Sequence, residues 1–268
     1  MIINYKTFPA LEYIKPAWDG RMHMALDDMA FYKSFGGLYS ENFKRYSKYF
    51  KQEVNIICKE FADAAEKHER RLMLLLKDIA QNDISGFCCD GCFLWGNFVH
   101  MIHHRFIKGS ENVEVAYFIF EKNGFPAAFW VDDIGVSKGQ FMWINNEISK
   151  RMGIHEDWQI REFFTYNIGK LIAIKMFKTF SDIEEVEIEP RKKKRAKNIK
   201  YFNDTDIKVT HLDCTWFTTL IRTEGFRVNG HFRLQPCGER LKDRRLIWIN
   251  DFEKHGYTRM AQKLVKKA

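Results

Sequence analysis

The chain lacks an uninterrupted apolar run of the roughly 18–20 residues needed to cross a bilayer. The closest stretch, residues 86–107, is interrupted by Asp90, Asn97 and histidines at 100, 103 and 104. The N-terminus, MIINYKTFPALEYIK, lacks the basic–apolar–small order of a signal peptide. Cysteines at 58, 88, 89, 92, 214 and 237 form no regular framework of the kind that staples small secreted domains. No internal repeat is evident. The expectation is a soluble protein of a reducing compartment, the cytoplasm.

What is present is aromatic and basic. Hydrophobic residues make up 46% of the 268, ample for a core, and 24 phenylalanines within a 15% aromatic share predict ring-on-ring packing. Disorder is not expected over most of the length. A net charge of +8 favours an anionic partner, with nucleic acid ahead of membrane.

Taken in order, residues 1–20 read as irregular. A helix is expected from about Arg21 to Phe35, capped by Asp19 and stopped by Gly36-Gly37. A second is expected from Ser40 to about His68 or beyond, with Phe43, Tyr46, Phe50, Val54, Ile57, Phe61 and Ala65 on one face. The segment CCDGCFLWGNFVHMIHHRF then offers a metal candidate. Cys89 and Cys92 are spaced C-x2-C, His100 and His103 H-x2-H, and thiolates with imidazoles suit tetrahedral zinc. The preferred reading is a core helix with incidental cysteines, a polar-facing edge of His100 and His104 and no cofactor, since Phe93, Leu94, Trp95, Phe98 and Val99 are apolar.

From Val113 to Asn146 the pattern changes to three short runs, VEVAYFIF, FPAAFWV and GQFMWIN, read as an antiparallel meander. Lys122-Asn123-Gly124 marks its first turn. Asp132-Asp133 in the second turn reads as paired carboxylates or, more simply, as turn residues. Residues 147–180 return to helix, with Asp157 as a cap, and an acidic strand follows over 183–188. The basic run comes next, with Arg191, Lys192, Lys193, Lys194, Arg195, Lys197 and Lys200. Alone it reads as a solvated loop. A second cationic turn, carrying Arg240, Lys242, Arg244 and Arg245, would turn the two into a phosphate-binding rim. Between them IKVTHLD alternates as a strand containing His211.

The last long stretch, EGFRVNGHFRLQPCGERLKDRRLIWINDFEKHGYTR, organises the C-terminal part. It reads as a strand, a basic turn and a short buried strand, Leu246-Ile247-Trp248-Ile249, with Trp248 as a core anchor. His231 and Arg233, two apart on one strand, share a face, a pairing suited to phosphate. The fold class predicted is α+β: helices on a mainly antiparallel sheet, with a C-terminal β-hairpin. It is read as a single domain over 1–268, mainly helical to residue 110, a meander plus long helix to 180, and strands beyond.

The pattern G-H-[FW]-R, a polar turn, then [IV]-W-[IV]-x-x-[FY] resembles the C-terminal signature of uncharacterised proteins of phages, prophages and plasmids. Gly230, His231, Phe232, Arg233 and Trp248 carry the match, which runs from Asp213 to Arg259. A more distant similarity links this tail to a type V anti-CRISPR protein that engages the nascent effector nuclease and lowers its messenger. Where that protein has a second aromatic–histidine step, this chain has Leu234-Gln235-Pro236. The resemblance implies a mobile-element origin and, with it, the cytoplasm of a bacterial host. Three functions compete: a regulator or anti-defence factor binding RNA or ribonucleoprotein, a metal-independent ribonuclease using His231 and Arg233 with His211 as second base, and a protein-interaction module, with a host defence protein as a further partner.

Overall fold

In the computed structural model the described residues are 2–15, 29–50, 53–59, 61–63, 65–66, 74–75, 88–107, 113–132, 140–180, 184–188, 202–213, 226–228, 230–239, 243–249 and 252–254. Their frame is an eight-stranded mixed sheet. Five strands form an antiparallel meander: β3 (Cys88–Trp95), β4 (Phe98–Phe106), β5 (Val113–Glu121), β6 (Pro126–Asp132) and β7 (Gln140–Ile144). Beside β3 lies β2 (Val54–Ile57), paired in parallel, and β10 (Val209–Asp213) runs parallel to β2 on its other side. The acidic edge β8 (Glu184–Glu187) closes the sheet antiparallel to β10. The class is α+β, with antiparallel pairing dominant and, within this sheet, the parallel pairs confined to β2.

A helix covers each face. α1 (Met29–Phe50) sets Tyr39, Phe43, Tyr46 and Phe50 on the first face, a stripe at i, i+4, i+7 and i+11 that is almost fully buried. Their rings meet Phe118 and Phe129 edge-on, with Phe43–Phe118 centroids 5.1 Å apart and Tyr39–Phe129 5.0 Å. α2 (Asn146–Met152) is capped by the Asn145 side chain and ended by Gly153, whose φ of 68° is left-handed. α3 (Asp157–Phe180) crosses the second face, burying Phe164, Leu171, Ile172 and Phe177 against Phe93, Ile102 and Tyr117. At its end Lys178 reaches Glu53, Asn55 (2.8 Å) and Glu185 (3.3 Å), tying the helix to β2 and β8. No helix among the described residues is long and apolar enough to cross a membrane.

The helical expectations for the first 110 residues need correction at three places. α1 runs through Gly36 and Gly37, because burial of its aromatic stripe outweighs their cost of about 1 kcal/mol each. It stops at Phe50, and Val54–Ile57 is a strand buried on both faces. Residues 88–106 are a β-hairpin and not a helix. A strand covered on both sides loses its apolar–polar alternation, so a helical period fits it equally well. The meander of 113–144 and its turn at Lys122-Asn123-Gly124 form as read. Gly124 has φ 92°, and a Cβ there would lie 3.0 Å from Pro9 Cβ.

Three two-stranded ladders complete the described residues: β1 (Ile2–Ile3) parallel to β9 (Phe202–Asn203), β11 (Phe226–Val228) antiparallel to β14 (Phe252–Lys254), and the C-terminal ribbon, β12 (His231–Cys237) antiparallel to β13 (Asp243–Ile249).

Candidate functional sites: an outward ribbon and a buried histidine strand

The ribbon has one covered face and one open one. Phe232 stands opposite Trp248, and both rings pack on Phe177 of α3, with centroids 5.2 and 4.9 Å from it and 4.8 Å from each other. Leu246 is buried on the same side. Alternation then sends the other set outward. Arg233 and Gln235 are exposed two residues apart, and Arg245, opposite Gln235, is exposed as well. Arg233 faces Ile247 across the ladder. The open face therefore carries two guanidinium groups and an amide, all donors suited to phosphate oxygens.

His231 pairs with Ile249 in the ribbon's register, and Arg244 with Pro236; their side chains lie outside the described residues. So do Arg240 and Lys242, and the whole run containing Arg191, Lys192, Lys193, Lys194, Arg195 and Lys197. His211 is half-buried in β10, between Ile56 of β2 and Val186 of β8. β10 belongs to the large sheet and β12 pairs with β13 alone among the described strands, so His211 and His231 are not on paired strands. Asp132 accepts a bond from Gln140 at 3.3 Å; Asp133 lies outside the described residues.

The zinc arrangement requires correction. Three residues apart on a strand means opposite faces. Cys89 belongs to the core under α3 and Cys92 to the core under α1. Likewise His100 bonds Tyr117 Oη (2.6 Å) on one face, and His103 stacks on Tyr49 on the other. The four do not converge, and no group of three or more His, Cys, Asp or Glu among the described residues is placed to hold a metal ion. Burial pushes both thiols well above the ordinary cysteine range.

The expected polar-facing edge of His100 and His104 is also corrected, because both lie inside the core of a covered sheet, in an arrangement the sequence reading missed. His100, His103 and His104 are 4%, 2% and 4% exposed. Burial lowers His100 to a pKa of about 3; burial and then the neighbouring His103 lower His104 to about 4. Both are neutral polar core residues at pH 7. His103 differs, for its Nδ1 lies 2.6 Å from Asp90 Oδ1, directly across the ladder. An Nδ1–H donated to that carboxylate leaves Nε2 as the ring's other polar atom. Nε2 sits 3.7 Å from Glu114 Oε2 and has no hydrogen-bond partner among the described residues. Glu114 is held by Arg105 at 2.8 Å and by Tyr46 Oη at 3.4 Å. Tyr49 lies flat on the imidazole at 3.9 Å, and Tyr46 at 5.6 Å. An Asp–His pair with a free Nε2 resembles a general-base dyad, but the two tyrosines of α1 roof it. It works as a polar joint between α1 and three strands.

One signal could have exposed the joint. Gly96-Asn97 is a two-residue hairpin turn, with Gly96 at φ 61°. Counting outward from it pairs Asp90 with His103 by register alone. Comparison of the chain with protein families, curated proteins and solved structures finds no match.

Proposed function

We infer that this protein binds nucleic acid, as RNA or ribonucleoprotein, through the outward face of the β12–β13 ribbon, and acts as a regulator or anti-defence factor of a mobile element. The observation that carries the reading is the ribbon's division of labour. Phe232 and Trp248 fix it to α3, leaving Arg233, Gln235 and Arg245 on a rigid two-stranded surface. Two-stranded ribbons with basic outward faces are a known way of meeting nucleic-acid grooves and backbones. All five positions of the phage-type signature, Gly230, His231, Phe232, Arg233 and Trp248, fall on this one element or the residue that opens it. The net charge of +8 supplies the sequence-independent attraction, and the reading calls for no cofactor.

The alternative is a metal-independent ribonuclease using His231 and Arg233; His211 is a second base for it only on a neighbouring strand, and among the described residues the strands of His211 and His231 are not paired.

The test is fluorescence anisotropy with labelled 20-nucleotide RNA and DNA across a salt series. Arg233→Ala/Arg245→Ala should weaken binding and reduce the slope of log K against log salt by about two phosphate contacts' worth, each worth roughly 0.7–0.9. Lys192→Ala, Lys193→Ala, Lys194→Ala and Arg195→Ala together should remove up to about four such contacts. Wild-type protein that binds neither strand at low salt would sink the reading. Copurification with and without ribonuclease, read by sequencing and mass spectrometry, would then identify a protein partner.

A further inference from the structure

At the end of the sheet formed by the β3–β4 and β5–β6 turns, four parts of the chain enclose an open bowl of about 490 Å³. The N-terminal loop contributes Lys6 and Thr7, the first turn Asn97 and Phe98, the second Glu121, Lys122 and Asn123, and α2 its Arg151. Three cations thus surround one carboxylate. That carboxylate is already occupied, since Glu121 Oε1 accepts from Arg151 at 2.8 Å and Oε2 from Asn123 Nδ2 at 3.1 Å. Lys6 and Lys122 have no acidic partner among the described residues, and Lys122 instead stands 5.1 Å over the Phe8 ring.

The walls are fixed independently of any ligand. Lys122 N–H donates to Asn97 C=O at 3.0 Å, joining the two turns. Asn4 Oδ1 accepts from the backbone N–H groups of Lys6 and Thr7 at 2.9 and 2.8 Å, which shapes the N-terminal loop. Tyr13 Oη donates to Gly124 C=O at 3.1 Å, and the closeness of Pro9 to Gly124 holds the loop against the second turn. Lys6, Lys122, Asn97 and Arg151 therefore line one space whose walls are fixed. Donor-bearing side chains around a fixed frame, with the one carboxylate among the lining residues satisfied, suit an anion with several acceptor oxygens.

We propose that this bowl binds phosphate groups. Where the source is a nucleic-acid strand, the bowl is a backbone contact additional to the ribbon, and that part rests on the binding function inferred above. A free phosphorylated small molecule presents the same chemistry, so the experiment separates the two sources. Binding of pyrophosphate is followed by calorimetry and by amide shifts of residues 96–98 and 121–124. Binding of the 20-nucleotide strand is followed by its salt dependence. Both use full-length protein, Lys6→Ala/Lys122→Gln and, as a milder variant, Asn97→Ala; melting temperature confirms that each folds.

The expected result is that pyrophosphate shifts these amides in the wild type, that the double variant weakens pyrophosphate at least tenfold, and that the strand's salt slope falls by up to about two contacts' worth. Pyrophosphate bound in the bowl with no strand binding at any salt would uphold the phosphate site and overturn the nucleic-acid function. A strand bound with an unchanged slope in the double variant, and pyrophosphate not bound, would overturn the bowl and leave the ribbon standing.

Discussion

Strands β4 and β12 begin from similar sequences and reach opposite ends. One reads FVHMIHHRF and the other HFRLQPC, and both interleave histidine or arginine with large apolar residues. β4 has neighbours on both edges and a helix over each face, so its three histidines are buried and must find partners inside. Among the described residues β12 has one neighbour and one covered face, so Phe232 goes inward while Arg233 and Gln235 remain in water. Placement in the sheet, and not local composition, decides whether a polar residue in a strand serves the fold or is available to a ligand.

Acid breaks the comparison most strongly. Unfolded histidine titrates near pH 6.5, while His100 and His104 hold pKa values of about 3 and about 4 when folded. Below pH 6.5 the unfolded chain takes up protons that the native state refuses, so stability falls as pH falls. The slope is on the order of 1.4 kcal/mol per pH unit for each histidine down to about pH 4, where His104 begins to protonate natively. Between pH 6.5 and 4.5 the pair should remove several kcal/mol, about as much as a small domain's whole stability. Urea unfolding at successive pH values measures this, and His104→Gln should flatten the slope. A pH-independent midpoint over that window would show that burial does not govern these rings.

Core truncation sharpens the same contrast. Met101, fully buried in β4 beside the histidines, should cost about 2–5 kcal/mol as Met101→Ala. The polar joint should cost less. Asp90→Ala leaves His103 Nδ1 without its carboxylate, and an abandoned buried polar group costs about 1–3 kcal/mol. Calorimetric melting of both variants ranks them, and an Asp90→Ala protein as stable as wild type would mean that the joint contributes nothing to holding α1 down.

How much of this could be read from the chain follows the same division. Where a strand has one covered face, period-2 alternation survives, and β12, β13 and the turn chemistry at Lys122-Asn123-Gly124 were legible. Long-range ladders were not, because nothing local in Val54–Ile57 names β3 and β10 as parallel neighbours. Strands covered on both faces read as helix, as at 88–106, while the zinc candidate rested on cysteine and histidine spacing alone. On a helix, Cys89 and Cys92 share a side; on a strand they cannot. The Asp90–His103 pair was hidden for the same reason, since it exists only once Gly96-Asn97 is a turn.

The smallest effect on stability belongs to the ribbon's open face, where the functional reading is most exposed. Arg233 is exposed, with Ile247 across the ladder, and Arg245 is exposed opposite Gln235. Surface substitutions away from caps and buried networks stay within about 0.5 kcal/mol, so Arg233→Ala/Arg245→Ala should melt within a degree or two of wild type. Yet the same variant is the one expected to lose nucleic-acid affinity, because two counterion-releasing contacts disappear with the side chains. Trp248→Ala makes the complementary case. Loss of its contacts with Phe177 and Phe232 should loosen the ribbon and lower the melting temperature by several degrees, and binding should weaken because the surface is no longer held rigid. Measured together, the two separate recognition from support: affinity lost at constant melting temperature assigns the arginines to the ligand. A double variant that destabilises as much as Trp248→Ala would place Arg233 and Arg245 with the buried histidines, as residues that serve the fold.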